Sequence, residues 1–168
     1  FLGYNLNDPL FADKRVRQAI AYAINKEEIV QGVLLGLGKV ATGPFKHGTW
    51  PYNPHVKTYP HSPRKAKELL AEAGWKYVDA NGILDKNGQP FVFEIITNQG
   101  NDVRQKCAEI IQKRLAEIGI KVKIRVLEWA AFVNDFINKR RFAATILGWT
   151  IPLDPDLYDV CHSGKTGP

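Results

Sequence analysis

Phe91 to Thr97 (FVFEIIT) is a nearly continuous apolar, β-prone run, as expected of a strand in the interior of a sheet. A strand without polar alternation is covered on both faces, as interior parallel strands are. Residues 102–118 then place Val103, Cys107, Ile110, Ile111, Leu115 and Ile118 at helical spacing, and Gly119 ends that helix. Lys121 to Val126 (KVKIRV) alternates, which describes a half-buried strand. Residues 129–138 predict a short amphipathic helix, and Phe142 to Gly148 (FAATILG) a further buried strand. The order is β-α-β-α-β. Its crossovers are expected to be right-handed and its strands parallel.

Parallel α/β sheets bind ligands just beyond the carboxyl ends of their strands. Three strand ends should therefore share one edge. They carry Asn98-Gln99-Gly100, Glu128-Trp129 and Trp149-Thr150. Two tryptophans offer an apolar, stackable wall, and the amide, hydroxyl and carboxylate neighbours can donate or accept hydrogen bonds. The competing reading of Trp129 and Trp149 is plain core packing.

Upstream, residues 1–6 predict a short strand. Asp13 precedes a helix with Val16, Ala19, Ile20, Ala23 and Ile24 at helical spacing. Asn25 and Glu28 have the spacing of a capping box. Ile29, Val30, Val33, Leu34 and Leu37 are expected to form the apolar face of that second helix, ended by Gly36 and Gly38. From Lys39 to His61 nothing is periodic, and Pro44, Pro51, Pro54 and Pro60 punctuate the run. A long irregular loop in a compact domain is often functional, so Trp50 within it is a further candidate. Ser62-Pro63 starts another helix, which Gly74 stops. Asn81-Gly82 and Asn87-Gly88 predict tight reversals. The Asp and Asn spacing from Asp79 to Gly88 does not match a calcium loop.

The 168 residues fit one ordinary domain. No apolar run approaches the ~20 residues of a membrane span. No basic-then-apolar leader opens the chain, so a signal peptide is expected to be absent or already removed. The lack of methionine, the start at Phe1 and the end at Gly167-Pro168 suggest a segment of a longer protein. The net charge of +6 is spread along the chain, and the densest basic run, Lys139-Arg140-Arg141, is three residues long. Without a basic cluster and a recognition motif, nucleic acid is not an expected partner. Cys107 and Cys161 have neither zinc nor redox spacing. His47, His55, His61 and His162 match no catalytic pattern, and no nucleophile elbow, phosphate loop or dinucleotide fingerprint occurs. Asp154, Asp156 and Asp159 form an acidic cluster that reads equally as a helix start.

Several separated motifs, in order across the chain, carry a family resemblance. They are Tyr4-Asn5, Pro9, Phe11 and Asp13, followed by Arg15 to Asn25 (RVRQAIAYAIN). Ala66 to Trp75 (AKELLAEAGW), Gly119 to Trp129 (GIKVKIRVLEW), Leu147-Gly148-Trp149 and Asp154-Pro155-Asp156 continue the series. The chain resembles the oligopeptide-binding family of bacterial solute-binding proteins. The resemblance implies an α/β lobe of the type II periplasmic-binding-protein kind, with a mixed, mostly parallel sheet flanked by helices. Residues 1–168 would form most of the C-terminal lobe, with residues 1–6 near the hinge and the N-terminal lobe lying outside the chain.

The implied function is that of the extracytoplasmic binding component of an ABC importer, in the periplasm or lipid-anchored at the outer face of the membrane. It would take oligopeptides into an interlobe cleft and deliver them to permease subunits, with no catalysis and no cofactor. Relatives that take up metal chelates, haem or sugars leave a non-peptide ligand as the alternative. In peptide-binding relatives the residues matching Trp129 and Trp149 line the pocket. Many relatives place an aspartate three residues after the second tryptophan to pair with the peptide's ammonium group. Pro152 stands there in this chain, and the nearest acid is Asp154. Ile146 occupies the position where some tripeptide binders carry an arginine. These departures imply a longer peptide, or another ligand, rather than a short peptide gripped at both ends.

Overall fold

The computed structural model describes residues 1–150, 156–158, 162 and 164. Among the described residues, seven strands form two sheets. The larger contains β1 (Leu2–Tyr4), β5 (Val92–Asn98), β6 (Lys121–Leu127) and β7 (Ala144–Ile146), in the order β1-β7-β5-β6. β5 is the interior strand its sequence predicts. It pairs in parallel with β6 from Val92↔Lys121 to Asn98↔Leu127, and in parallel with β7 through Ile95↔Ala144 and Ile96↔Thr145. β1 closes the far side antiparallel to β7, so the sheet is mixed and mostly parallel.

Successive side chains of β5 serve opposite faces. Phe93 and Ile95 join the main core with Val122, Ala144 and Ile146. Over that face pack α2 (Lys14–Ala23), α4 (Pro63–Glu72) and α5 (Asp102–Ala116). α2 contributes Val16, Ala19, Ile20 and Ala23, and α4 contributes Ala66 and Leu70. The alanines let these two helices lie close together. Ile96 and Phe132 are equally buried but stand outside that core, on the opposite face. There the sheet is partly polar: Glu94 and Arg125 approach to 3.8 Å, and the Arg125 guanidinium lies over the ring of Phe136. The buried hydroxyls of Thr97 and Thr145 donate to the carbonyls of Ile146 and Ile96, stitching β5 to β7.

The second sheet is an antiparallel meander of β2 (Tyr77–Val78), β3 (Leu84–Lys86) and β4 (Gln89–Pro90). Asn87 (φ 56°) and Gly88 (φ 80°) form its two-residue reversal, as the Asn-Gly pair predicts. Gly119 (φ +82°) ends α5 against this meander. A Cβ there would sit 2.8 Å from the Leu84 side chain and 3.2 Å from the Gly82 carbonyl oxygen.

Capping follows the sequence closely. Asp8 starts α1 (Pro9–Ala12), Asp13 starts α2, Asn25 starts α3 (Lys26–Leu34) and Ser62 starts α4, each accepting a backbone N–H. Three expectations are corrected. Glu28 does not turn back to complete a capping box. Its carboxylate takes two hydrogen bonds from Arg114 on α5, at 2.6 and 2.7 Å, because a bidentate guanidinium is the stronger partner. The apolar face expected to run to Leu37 stops short. Leu35 adopts the left-handed conformation (φ 51°) that closes α3, and Leu35 and Leu37 are 80% and 90% exposed. The helix expected over 129–138 is one short α-turn, α6 (Trp129–Ala131), running into a π-helix over Phe132–Ile137. Its wider turn is closed by bonds such as Asn138 N–H to the Val133 carbonyl, 2.9 Å.

Candidate ligand-binding edge of the sheet

Because β5, β6 and β7 are parallel, their carboxyl ends lie along one edge. Backbone bonds tie the end of β5 to that of β6, and the end of β7 to the first residue of the chain. Gln99 N–H donates to the Leu127 carbonyl at 2.7 Å, and Leu147 N–H to the Phe1 carbonyl at 3.2 Å. Asn98 closes β5 as a buried amide whose NH2 group donates to the Gln99 carbonyl at 2.9 Å. Gln99 itself is exposed beside Gly100.

Neither tryptophan of the edge is a core residue. Trp129 is 51% and Trp149 53% exposed. Each is nonetheless backed by an aromatic ring. Phe132 lies under Trp129 with centroids 5.9 Å apart, and Phe1 lies against Trp149 at 4.4 Å. Supported from behind and open in front, both indoles can take apolar ligand groups. Thr150, next to Trp149, is exposed.

Glu128 is engaged locally. Its carboxylate caps α6 by accepting the Ala131 N–H at 3.1 Å. Backbone N–H groups of Ala130, Ala131 and Trp129 hold its pKa below the usual carboxylate range, so it stays ionised at the mouth of the edge. Asp154, with Pro152, lies outside the described residues. Trp50 is 83% exposed in the irregular 39–61 loop. No hydrogen bond or ring contact links it to Trp129 or Trp149 among the described residues. The loop is anchored at its other end, where Tyr59 meets Tyr22 ring to ring and takes Lys26 Nζ on its carbonyl.

One residue of the edge escaped the sequence reading. Arg104, in the first turn of α5, donates from Nη1 to Asn98 Oδ1 at 2.6 Å. Its Nη2 lies 3.5 Å from where a Cβ on Gly148 would be. The guanidinium thus spans the ends of β5 and β7. The available signal was Asn101, an N-cap three residues earlier, which accepts the Arg104 N–H and sets the helix start at this edge.

Among the described residues, no three His, Cys, Asp or Glu side chains gather as a metal site. His47 instead packs on Tyr52 and shares a hydrogen bond with the Val40 carbonyl. Three cavities of about 400 Å³ are lined by other parts of the chain: the 39–47 loop, the α4–β3–α5 junction, and the groove beside Trp75 and Lys86.

The sequence profile of the bacterial extracellular solute-binding proteins, family 5 Middle, matches residues 1–167. The oligopeptide-binding protein AppA of Bacillus subtilis is 42% identical over 168 residues, covering 98% of this chain and 31% of the relative. Its structure in complex with a nonapeptide superposes with a TM-score of 0.92, over 99% of this chain and 34% of that one. NikZ from Campylobacter jejuni, in complex with Ni(L-His), is 31% identical with a TM-score of 0.88, over 98% of this chain and 32% of that one. Heme-binding protein A of Haemophilus influenzae is 32% identical over 150 residues, 89% of this chain and 26% of the relative. This chain therefore spans between a quarter and a third of the length of these curated relatives. The match over residues 1–167, the mixed sheet and the superposition along nearly the whole chain agree: the chain belongs to the bacterial extracellular solute-binding proteins of family 5.

Proposed function

We propose that this chain is most of the C-terminal lobe of the binding component of an ABC importer, and that its strand-end edge is one wall of an oligopeptide cleft. The carrying observation is the likeness to AppA, whose structure holds a nonapeptide. The two open, backed indoles of Trp129 and Trp149 support it from this chain's own geometry. An extended peptide would lie along the edge. Its backbone would meet the 98–100 and 148–150 segments, and its side chains would rest on the tryptophans. Trp50 and Asp154 would contribute from the 39–61 loop and the segment after Thr150. Closure of the partner lobe would exclude water and strengthen each polar contact. The protein would act by binding alone, outside the cytoplasm, and would hand its ligand to the permease subunits. Nucleic acid has no place in this role.

A second reading has specific support. NikZ binds Ni(L-His), and another relative is named a heme-binding protein. The same lobe could therefore present a metal chelate or haem.

Native mass spectrometry of the full two-lobe protein tests both. A co-purifying peptide mixture supports the first reading. A single chelate or haem with no peptide replaces it with the second.

A further inference from the structure

Among the described residues, the edge carries a positive charge, on Arg104, without a fixed counterion. Among the described residues, ion pairs join Arg15 to Asp13, Arg114 to Glu28 and Glu117, and other surface partners. Arg104 is in none of them, and no carboxylate meets it among the described residues. Among the described residues its one side-chain bond is to the neutral amide of Asn98, which fixes the guanidinium while using one of its five donors. The neighbour at Gly148 has no side chain to cover it, and the next residue is the half-exposed Trp149. A half-buried, oriented guanidinium beside an open aromatic wall is suited to a planar carboxylate, which it can meet with two parallel N–H donors. Glu128 does not compete for the charge, because its carboxylate is held by its own helix end.

We propose that Arg104 reads a carboxylate of the bound peptide, placed between the ends of β5 and β7 and next to the side chain resting on Trp149. The inference rests on the peptide reading and adds a charge preference to it. The carboxylate is either the peptide's C-terminus or an acidic side chain.

The test uses the full two-lobe protein, stripped of ligand, with two probes: a tryptic digest of casein, and the same digest with its carboxyl groups converted to methyl esters. Retained peptides are measured by native mass spectrometry. Wild type is expected to retain the free-acid digest at least about tenfold better than the ester. Arg104→Gln is expected to retain both about equally, and Arg104→Lys to keep a reduced preference, since a point charge lacks the fork. Resynthesis of retained peptides with amidated C-termini separates the two sources of carboxylate: loss of retention assigns the C-terminus, and unchanged retention assigns a side chain. Wild type retaining both digests equally, or Arg104→Gln keeping the full preference, overturns the role of Arg104 while the peptide reading stands. Wild type retaining neither digest overturns the peptide reading and this proposal together.

Discussion

Phe1 and Trp149 lie with ring centroids 4.4 Å apart and planes tilted by 45°. The contact joins the first residues of the chain to the end of β7, and it holds an otherwise half-exposed indole at the edge of the sheet. Strand β1 reinforces it through the register Leu2↔Ile146.

The first expectation concerns this pair. If the proposed peptide role holds, Trp149→Ala in the full-length protein should weaken peptide binding by about 1–3 kcal/mol, the usual range for an aromatic anchor that its ligand buries. Phe1→Ala should weaken it less, because the indole remains but loses its backing ring. Titration calorimetry checks both, and equal affinity in wild type and Trp149→Ala would remove Trp149 from the site.

Ile95 is fully buried at the centre of the sheet, flanked by Ile124 of β6 and Ala144 of β7. Ile95→Ala should cost about 2–5 kcal/mol, the transfer loss plus the cavity left in a packed core. Urea unfolding followed by circular dichroism measures this. A loss below 1 kcal/mol, as a rough threshold for a surface site, would contradict the burial.

Gly119 has both a positive φ and close neighbours in Leu84 and Gly82. Gly119→Ala should destabilise the chain by about 1–3 kcal/mol, through backbone strain and crowding of the meander. Alanine at Gly82, where φ is +79° but the space around it is open, should cost less. Comparing thermal midpoints of the two variants separates strain alone from strain plus contact, and equal midpoints would refute the close approach.

The Glu28–Arg114 pair gives a pH dependence. Hydrogen bonds from Arg114 hold the Glu28 carboxyl below its ordinary value. The folded state thus binds this proton less readily than the unfolded state does. Its contribution is present above the ordinary glutamate range and is lost as pH falls through the depressed folded value. Glu28→Gln should remove about 1 kcal/mol at neutral pH and little in strong acid. Chemical denaturation of both proteins from neutral pH to acid checks this. A stability gap that stays constant with pH would rule out the ion pair as its source.

Much of the fold is local in origin, which is why the sequence shows it. FVFEIIT has no polar alternation and becomes the doubly flanked β5. KVKIRV alternates and becomes β6, at the rim of the sheet. Asp13, Asn25 and Ser62 cap where their side chains can reach a nearby N–H. Parallel order then follows from the alternation of strands and helices, and with it the common edge of Asn98, Trp129 and Trp149.

Sequence alone was enough for the main strands and helices, the parallel order of β5, β6 and β7, and the edge that Asn98, Trp129 and Trp149 share. Each depends on periodicity and on neighbours a few residues apart. Which distant side chains meet depends on how those elements pack. Glu28 could serve its own helix or Arg114, 86 residues away, and packing of α3 on α5 settled it. Leu37 looked like core by spacing, yet the left-handed Leu35 turned the chain before any partner could cover it. Arg104 was one of many surface cations until helix α5 set it over Asn98 and beside Gly148. A local pattern carries no information about contacts between segments far apart in the chain, because those are fixed by how whole elements pack.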